Sequence, residues 1–269
     1  MKIIDAHFHM FGDSPFAAEM ARAVGHENAV EHLRTYYLEH GIVHGVIMSN
    51  HSLRPEDHVY PKDLFHYCIG LDASIRDESA DVPALVEENL KCESCCGVKL
   101  YPGYNDVWLY DPSLEPVYEL AARYDKPVAI HMGMTAHMRA KLKYSHPLVL
   151  DEVAAEHPKN RFVMCHFGNP FLTEAAAVLE KNGNVAADLS GLLEGIEDLP
   201  AYFEVQAGYI QQLRTWITYV QDDERFLFGT DWPAVNIGNY IEFIQRLLPE
   251  KSWDNVFFEN ANRIYGLGL

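Results

Sequence analysis

The stretch Ile3-Ile4-Asp5-Ala6-His7-Phe8-His9 opens the chain as a short apolar strand that runs into a His-x-His pair. Alternate residues of a strand point to one side, so His7 and His9 can face one point at the strand's end. Neutral imidazoles converging on a point are what a borderline cation such as Zn²⁺ takes as ligands. Alone, the pair fits equally well two polar residues at a strand terminus. It gains weight because an apolar strand ending in a metal-type residue recurs along the chain.

Working outward, short apolar runs rich in Val, Ile and Phe predict strands at Lys2–His9, Ile42–Asn50, Phe65–Ala73, Gly97–Tyr101, Pro127–Met132, Arg161–His166, Asn184–Leu189 and Arg225–Gly229. They are apolar on both faces, as buried parallel strands are. Helical spacing lies between them, at Val30–His40, Pro83–Lys91, Leu114–Tyr124, Leu148–His157, Thr173–Lys181, Tyr209–Gln221 and Tyr240–Leu248. Gly41, Pro158 and Gly183 stand where helices should stop. Eight strands alternating with helices over about 250 residues predict one α/β domain over 1–269, a single (β/α)₈ TIM-type barrel. The doubly wound sheet is the rival, but it carries a glycine-rich phosphate turn after its first strand, where this chain has His7-Phe8-His9. Asp13–Gly25, Gly133–His146 and Gly191–Ala207 are expected to be long loops over the barrel mouth.

Composition narrows the function classes. The chain has 269 residues and a formal net charge of −18, which argues against nucleic acid or an anionic membrane as partner. No apolar run is long enough to span a bilayer. The strand begins at once, leaving no room for a signal peptide, and the five cysteines suggest reduced thiols rather than a disulfide framework, so a cytoplasmic location is expected.

Five predicted strands end in chemistry. The first gives His7 and His9, the fourth Lys99 and Tyr101, the fifth His131, the sixth His166, and the eighth Asp231 within Gly229-Thr230-Asp231-Trp232-Pro233. In a (β/α)₈ barrel the C-terminal strand ends surround the active site. His7, His9, His131 and Asp231 make a nitrogen-rich site closed by one carboxylate; if that carboxylate binds weakly or the metal expands its shell, water or substrate can enter, as a catalytic metal site requires.

These motifs, with Ser145-His146-Pro147 and the ending Asn260-Ala261-Asn262-Arg263-Ile264-Tyr265-Gly266-Leu267, resemble the amidohydrolase superfamily over nearly the whole chain. Within it the similarity is to the amidohydrolase-2 group, which includes the aminocarboxymuconate-semialdehyde decarboxylase-like enzymes. The resemblance implies one divalent metal on His7, His9, His131 and Asp231, Zn²⁺ first with Mn²⁺ or Fe as alternatives. It also implies His166 as general acid/base or oxyanion donor and Asp231 as a partner in proton transfer. Lys99 departs from the decarboxylase-like pattern: binuclear superfamily members carboxylate a lysine there to bridge two metals, whereas a free ammonium would bind a substrate carboxylate or polarised carbonyl. Cys165, next to His166, is expected to turn away into the barrel wall.

Blander readings stand beside these. Cys92-Glu93-Ser94-Cys95-Cys96 has no partner pair for a zinc knuckle and reads as small buried residues. Arg139-Ala140-Lys141-Leu142-Lys143 is either a solvated helical face or a contact for an anionic substrate. Asp188 either caps a loop or bonds a ligand hydroxyl. His51, Arg54, Tyr101, Tyr104 and Trp232 can reach the mouth as substrate contacts. The helix Tyr209–Gln221 could form a homodimer surface or simply pack on the core. The sequence therefore predicts a metal-dependent hydrolase of a small, anionic, carboxylated amide, lactone or ester. The rivals are nonoxidative decarboxylation at the same site and a non-catalytic metal- or metabolite-binding barrel.

Overall fold

Strand and helix alternate as the sequence predicts, in a computed structural model that describes residues 1–10, 12, 14–72 and 81–269. The strands are β1 (Ile3–Phe8), β2 (Ile42–Met48), β3 (Phe65–Leu71), β4 (Cys95–Leu100), β5 (Val128–Ile130), β6 (Phe162–Met164), β7 (Val185–Asp188) and β8 (Phe226–Leu227). They pair in parallel in sequence order. Backbone bonds from Ala6 N–H to Phe228 O (2.9 Å) and Asp231 N–H to His7 O (2.8 Å) bring β8 back to β1, so the sheet is a nearly closed TIM-type barrel. β4 begins two residues earlier than predicted, because Cys95 and Cys96 are small enough to be buried within it. The last residue of the predicted third strand, Ala73, lies outside the described residues.

Two cores result. Ile4, Ala6, Val46, Met48, Ala129 and Val163 fill the barrel, where small side chains fit the narrow interior. A larger apolar shell, with Ile3, Phe8, Tyr37 and Phe65 among its members, packs the outside of the strands against the helices.

Helices α1 (Pro15–Ala23) and α8 (Leu199–Val205) correct two of the predicted loops. Both are short, so periodicity barely registers them, yet each carries a readable start signal. Ser14 precedes Pro15 and accepts the Ala17 N–H (3.3 Å); Asp198 accepts that of Ala201 (3.3 Å). The predicted helices appear as α2 (Val30–His40), α3 (Val82–Lys91), α5 (Glu115–Arg123), α6 (Pro147–Glu156), α7 (Leu172–Lys181), α9 (Ala207–Val220) and α10 (Ile237–Leu247). A short α4 (Pro102–Asn105) follows β4, and α11 (Asn260–Tyr265) ends the chain's helices. In α9, Ile210, Leu213, Ile217 and Val220 are buried, so most of its apolar face serves the core. Among the described residues no helix is long and apolar enough to cross a membrane.

A buried histidine ties the segment before α2 to α10. His26 Nε2 accepts the Ile237 N–H (3.1 Å), so its Nδ1–H donates to His32 Nε2 (2.8 Å). Burial, with His32 and His40 nearby, holds its imidazole down to about 4. The unfolded chain titrates near 6.5, so the stabilisation is complete above that pH and lost as pH falls toward the folded value. Urea midpoints should therefore drop between pH ~7 and pH ~4.5, and His26→Gln should flatten the slope.

Candidate functional site

The site assembles where β1 meets β8. Asp5 and Ala6 alternate as a strand should, but the β1–β2 register shifts between Asp5 and Phe8. Ala6 faces the barrel interior while Phe8 packs outside, so strand alternation alone does not aim His7 and His9; the irregularity does. Gly229 lets β8 come close, because a Cβ there would lie 2.7 Å from the His7 Cβ. The buried Asp5 carboxyl pins this junction. It accepts from Thr230 N–H (2.9 Å), Thr230 Oγ–H (2.7 Å) and Tyr37 O–H (2.9 Å), and burial outweighs these bonds to push it up to about 7.

Hydrogen-bond partners assign the imidazole tautomers. His7 Nδ1–H donates to Asp188 Oδ2 (2.8 Å), leaving an Nε2 lone pair that is buried without a hydrogen-bond partner. His9 Nδ1–H donates to Met48 O (2.9 Å), so its Nε2 also presents a lone pair. Asp231 Oδ1 lies 3.5 Å from the first and 3.3 Å from the second. Burial holds His7 down to about 3 and hence neutral. Burial alone would raise the Asp231 carboxyl, but His166, His9 and His7 outweigh it and keep it ionised. The Nε2 atoms of His7 and His9 and a carboxylate oxygen of Asp231 thus converge, all within 4.8 Å of one another. That donor set fits a divalent cation.

His131 stands beside this trio. Its Nε2–H donates to Met134 O (2.8 Å), which turns an Nδ1 lone pair toward His166 Nε2, 3.1 Å away. His166 sits past the end of β6 at φ +59°, a left-handed conformation costly for a non-glycine residue, and its backbone N–H is held by Asp188 Oδ1 (2.9 Å). Asp231 is held at φ +59° as well.

Asp188 organises both halves of the site. Burial would raise its carboxyl, but His7, His166 and Lys99 hold it well below the usual carboxylate range. It accepts from His7 on one oxygen and from His166 N–H, Ser190 N–H (3.2 Å) and Ser190 Oγ–H (2.5 Å) on the other. The Ser190 oxygen is then left to accept His166 Nδ1–H (2.9 Å), so that in the neutral rings the His166 Nε2 and His131 Nδ1 lone pairs face each other across 3.1 Å. Sequence reasoning left Asp188 open between a loop cap and a ligand contact, and did not single out Ser190. The available signal was a carboxylate ending a buried apolar strand. Gly191, at φ +62°, completes the packing; a Cβ would lie 2.8 Å from His166 Nδ1 and 3.2 Å from Asp231 Oδ2. Gly191→Ala should therefore cost activity far more than thermal stability, checked by turnover beside a melting curve.

The remaining candidates fall at graded distances from this centre. Lys99 is fully buried, with Nζ on Cys165 Sγ (2.7 Å), so its ammonium is not presented at the mouth. Cys165 faces the barrel interior rather than its wall, because alternation runs on with Val163 inside, Met164 outside and Cys165 inside, and it is His166, at φ +59°, that leaves the strand path. Tyr101 is buried, donates to Met48 O (3.3 Å), and lines an apolar cavity of about 350 Å³ with Leu53, Leu71 and Leu100. Trp232 is wholly buried, whereas His51 is exposed on the β2–β3 loop with Nε2 on Asp57 O (3.3 Å). Tyr104 lies against the site, its ring 4.9 Å from that of His131. In the basic segment, Lys141 pairs with Asp106 and Lys143 lies over Tyr144 (4.6 Å), so neither is an isolated charge.

Residues 67–267 match the family model described as Amidohydrolase, of the amidohydrolase-2 group. The chain belongs to that family. Its amidohydrolase fold is shared with a probable 2-pyrone-4,6-dicarboxylic acid hydrolase from Acinetobacter baumannii, solved with citric acid bound (17% identity, TM-score 0.65, covering 99% of this chain and 100% of that one). It is also shared with an amidohydrolase from Burkholderia multivorans solved with zinc bound (16%, 0.66, 99% of each chain). A third is 2,6-dihydroxybenzoate decarboxylase from Rhizobium (15%, 0.69, 100% of each chain). At these identities the likeness is one of fold. No curated protein matches the sequence. Membership makes this amidohydrolase a metal-dependent enzyme, in a fold that hosts both hydrolases and decarboxylases.

Proposed function

We propose that this amidohydrolase hydrolyses a small carboxylated amide, lactone or ester. The observation that carries the reading is that two proton-handling groups stand at the point where His7 and His9 converge: His166, its ring 4.8 Å from that of His7, and Asp231, whose Oδ1 lies 3.5 and 3.3 Å from the two Nε2 atoms. Hydrolysis needs two proton transfers, one from the attacking water and one to the leaving group. His7, His9 and Asp231, with His131 beside them, would hold one divalent metal, zinc being the first choice for this ligand set. When bound, such an ion brings the pKa of a water to about 7 and polarises a carbonyl oxygen.

The chain's own residues supply the rest. His166 takes a proton at Nε2 while Ser190 fixes its Nδ1–H, and the Asp188 charge behind Ser190 stabilises the imidazolium that forms. That imidazolium then faces a developing oxyanion as a donor. Asp231, a carboxylate at rest, takes the attacking water's second proton and passes it to the leaving group. Lys99 supplies no substrate contact in this arrangement.

Nonoxidative decarboxylation is the second reading, supported by the like fold of the Rhizobium decarboxylase. It needs one proton delivered to the carbon that loses CO₂, and His166 alone could deliver it. An ester and lactone panel run beside a CO₂ assay separates the two. Hydrolysis without CO₂ supports the first reading; CO₂ without hydrolysis overturns it.

The metal is tested independently. The purified chain should carry about one transition metal by elemental analysis, where a second would bring Lys99 back as a carboxylated bridge. Chelation should lower the melting temperature and added zinc restore it, since a ligand at a hundred times its Kd stabilises by about 2.7 kcal/mol. A chain that holds no metal and takes none up would be a metal-free lactonase-like enzyme or a non-catalytic barrel.

A further inference from the structure

Below the histidines, the barrel encloses a pair of side chains that the proposed chemistry does not use. Lys99 on β4 and Cys165 just past β6 are both wholly buried, and Nζ lies 2.7 Å from Sγ. Even an N–H···O bond is usually about 2.9 Å, and sulfur is the larger acceptor. An ammonium carries three donors, yet among the described residues Cys165 is the one hydrogen-bond partner of Nζ. The Tyr101 ring, 5.3 Å away, is its other neighbour, and no carboxylate lies within ion-pair distance of it among the described residues. A buried cation with most of its donors unmet is costly. The buried thiol opposite is also pushed up by burial, against the pull of Lys99.

We propose that Lys99 and Cys165 are joined by oxidation into a covalent Nζ–O–Sγ bridge across the barrel. A direct N–S bond, being a single bond of about 1.5–2 Å, would require the chains to close by most of an ångström. Two such bonds through one oxygen span the gap with both chains where they stand. The oxidant is dioxygen, or two equivalents of hydrogen peroxide. One oxygen atom of O₂ becomes the bridge. The other leaves as water with one hydrogen from the amine and one from the thiol, and nitrogen and sulfur give up two electrons each. With peroxide the thiol first becomes a sulfenic acid and the amine a hydroxylamine; their condensation forms the O–S bond and expels water.

The bridge removes both poorly satisfied polar groups. It also removes the positive charge that bears on His7, His131 and His166, making the oxidised site more welcoming to a cation than the reduced one.

The test needs no substrate. The intact folded chain, purified with dithiothreitol and then exposed to air or hydrogen peroxide, is digested without reductant and analysed by mass spectrometry. The expected result is a joined pair of peptides containing Lys99 and Cys165, heavier than their sum by one oxygen and lighter by two hydrogens. Trypsin should fail to cleave after Lys99, and dithiothreitol should release both peptides. Lys99→Arg, which keeps the charge, and Cys165→Ser should each abolish the joined pair. An unchanged mass, a loss of two hydrogens alone, oxygen added to Cys165 alone, or a joined pair that persists in Lys99→Arg would each overturn the proposal.

Discussion

Replacing His166 by Ala should lower turnover by roughly 10²–10⁴-fold while leaving metal content near that of the wild type. The imidazole is the one group whose Nδ1–H is tied down by Ser190 while its Nε2 lone pair stays on the side of the converging ligands. Removing it takes away the proton acceptor but none of the three atoms that form the ligand trio. The effect should lie in kcat, because the proton transfer belongs to the transition state and not to substrate binding. Elemental analysis beside saturating kinetics decides the matter. Loss of metal in His166→Ala would make His166 a ligand, and its 3.1 Å approach to His131 Nδ1 is where that error would reside.

The second large effect is expected at Asp188. Asp188→Asn preserves volume but replaces one acceptor oxygen by an N–H₂ donor, and both oxygens of Asp188 face donors. Whichever way the amide turns, a donor meets a donor. If the amide nitrogen faces His7, the Nδ1–H tautomer is lost and with it the Nε2 lone pair that would bind the proposed metal. If it faces Ser190, the tautomer of His166 is released instead. Groups that orient metal-binding histidines in this way typically carry 10–100-fold in metal affinity, so zinc titration of the variant should show a loss of that order, together with reduced turnover. Wild-type zinc affinity in Asp188→Asn would remove Asp188 from the site. Its ionised form stabilises the fold above the ordinary carboxylate pKa, and that stabilisation is lost only as pH falls through the depressed folded value.

Much of this was legible before any coordinates. The alternation of apolar runs with helical spacing announced the barrel because buried parallel strands and their covering helices have different periods. His7, His9, His131, His166 and Asp231 were legible as a set because barrel strand ends face one mouth, so a residue's place in the strand predicts its neighbourhood. Two helices were not predicted: α8, of seven residues, is too brief for periodicity, and α1 and α8 are each announced by a capping residue, Ser14 and Asp198.

What the sequence by itself determined is the architecture and the kind of chemistry, since both depend on patterns within single segments. What only the tertiary structure decided is which groups oppose one another. The β1 irregularity aims His7, Asp188 proves to hold two histidines at once, and Lys99 turns inward onto Cys165. These are relations between residues 66 to 181 positions apart for the two longest-range cases, Lys99 with Cys165 and His7 with Asp188. No local period encodes them. They are set by barrel closure and by the cost of leaving buried polar groups without partners.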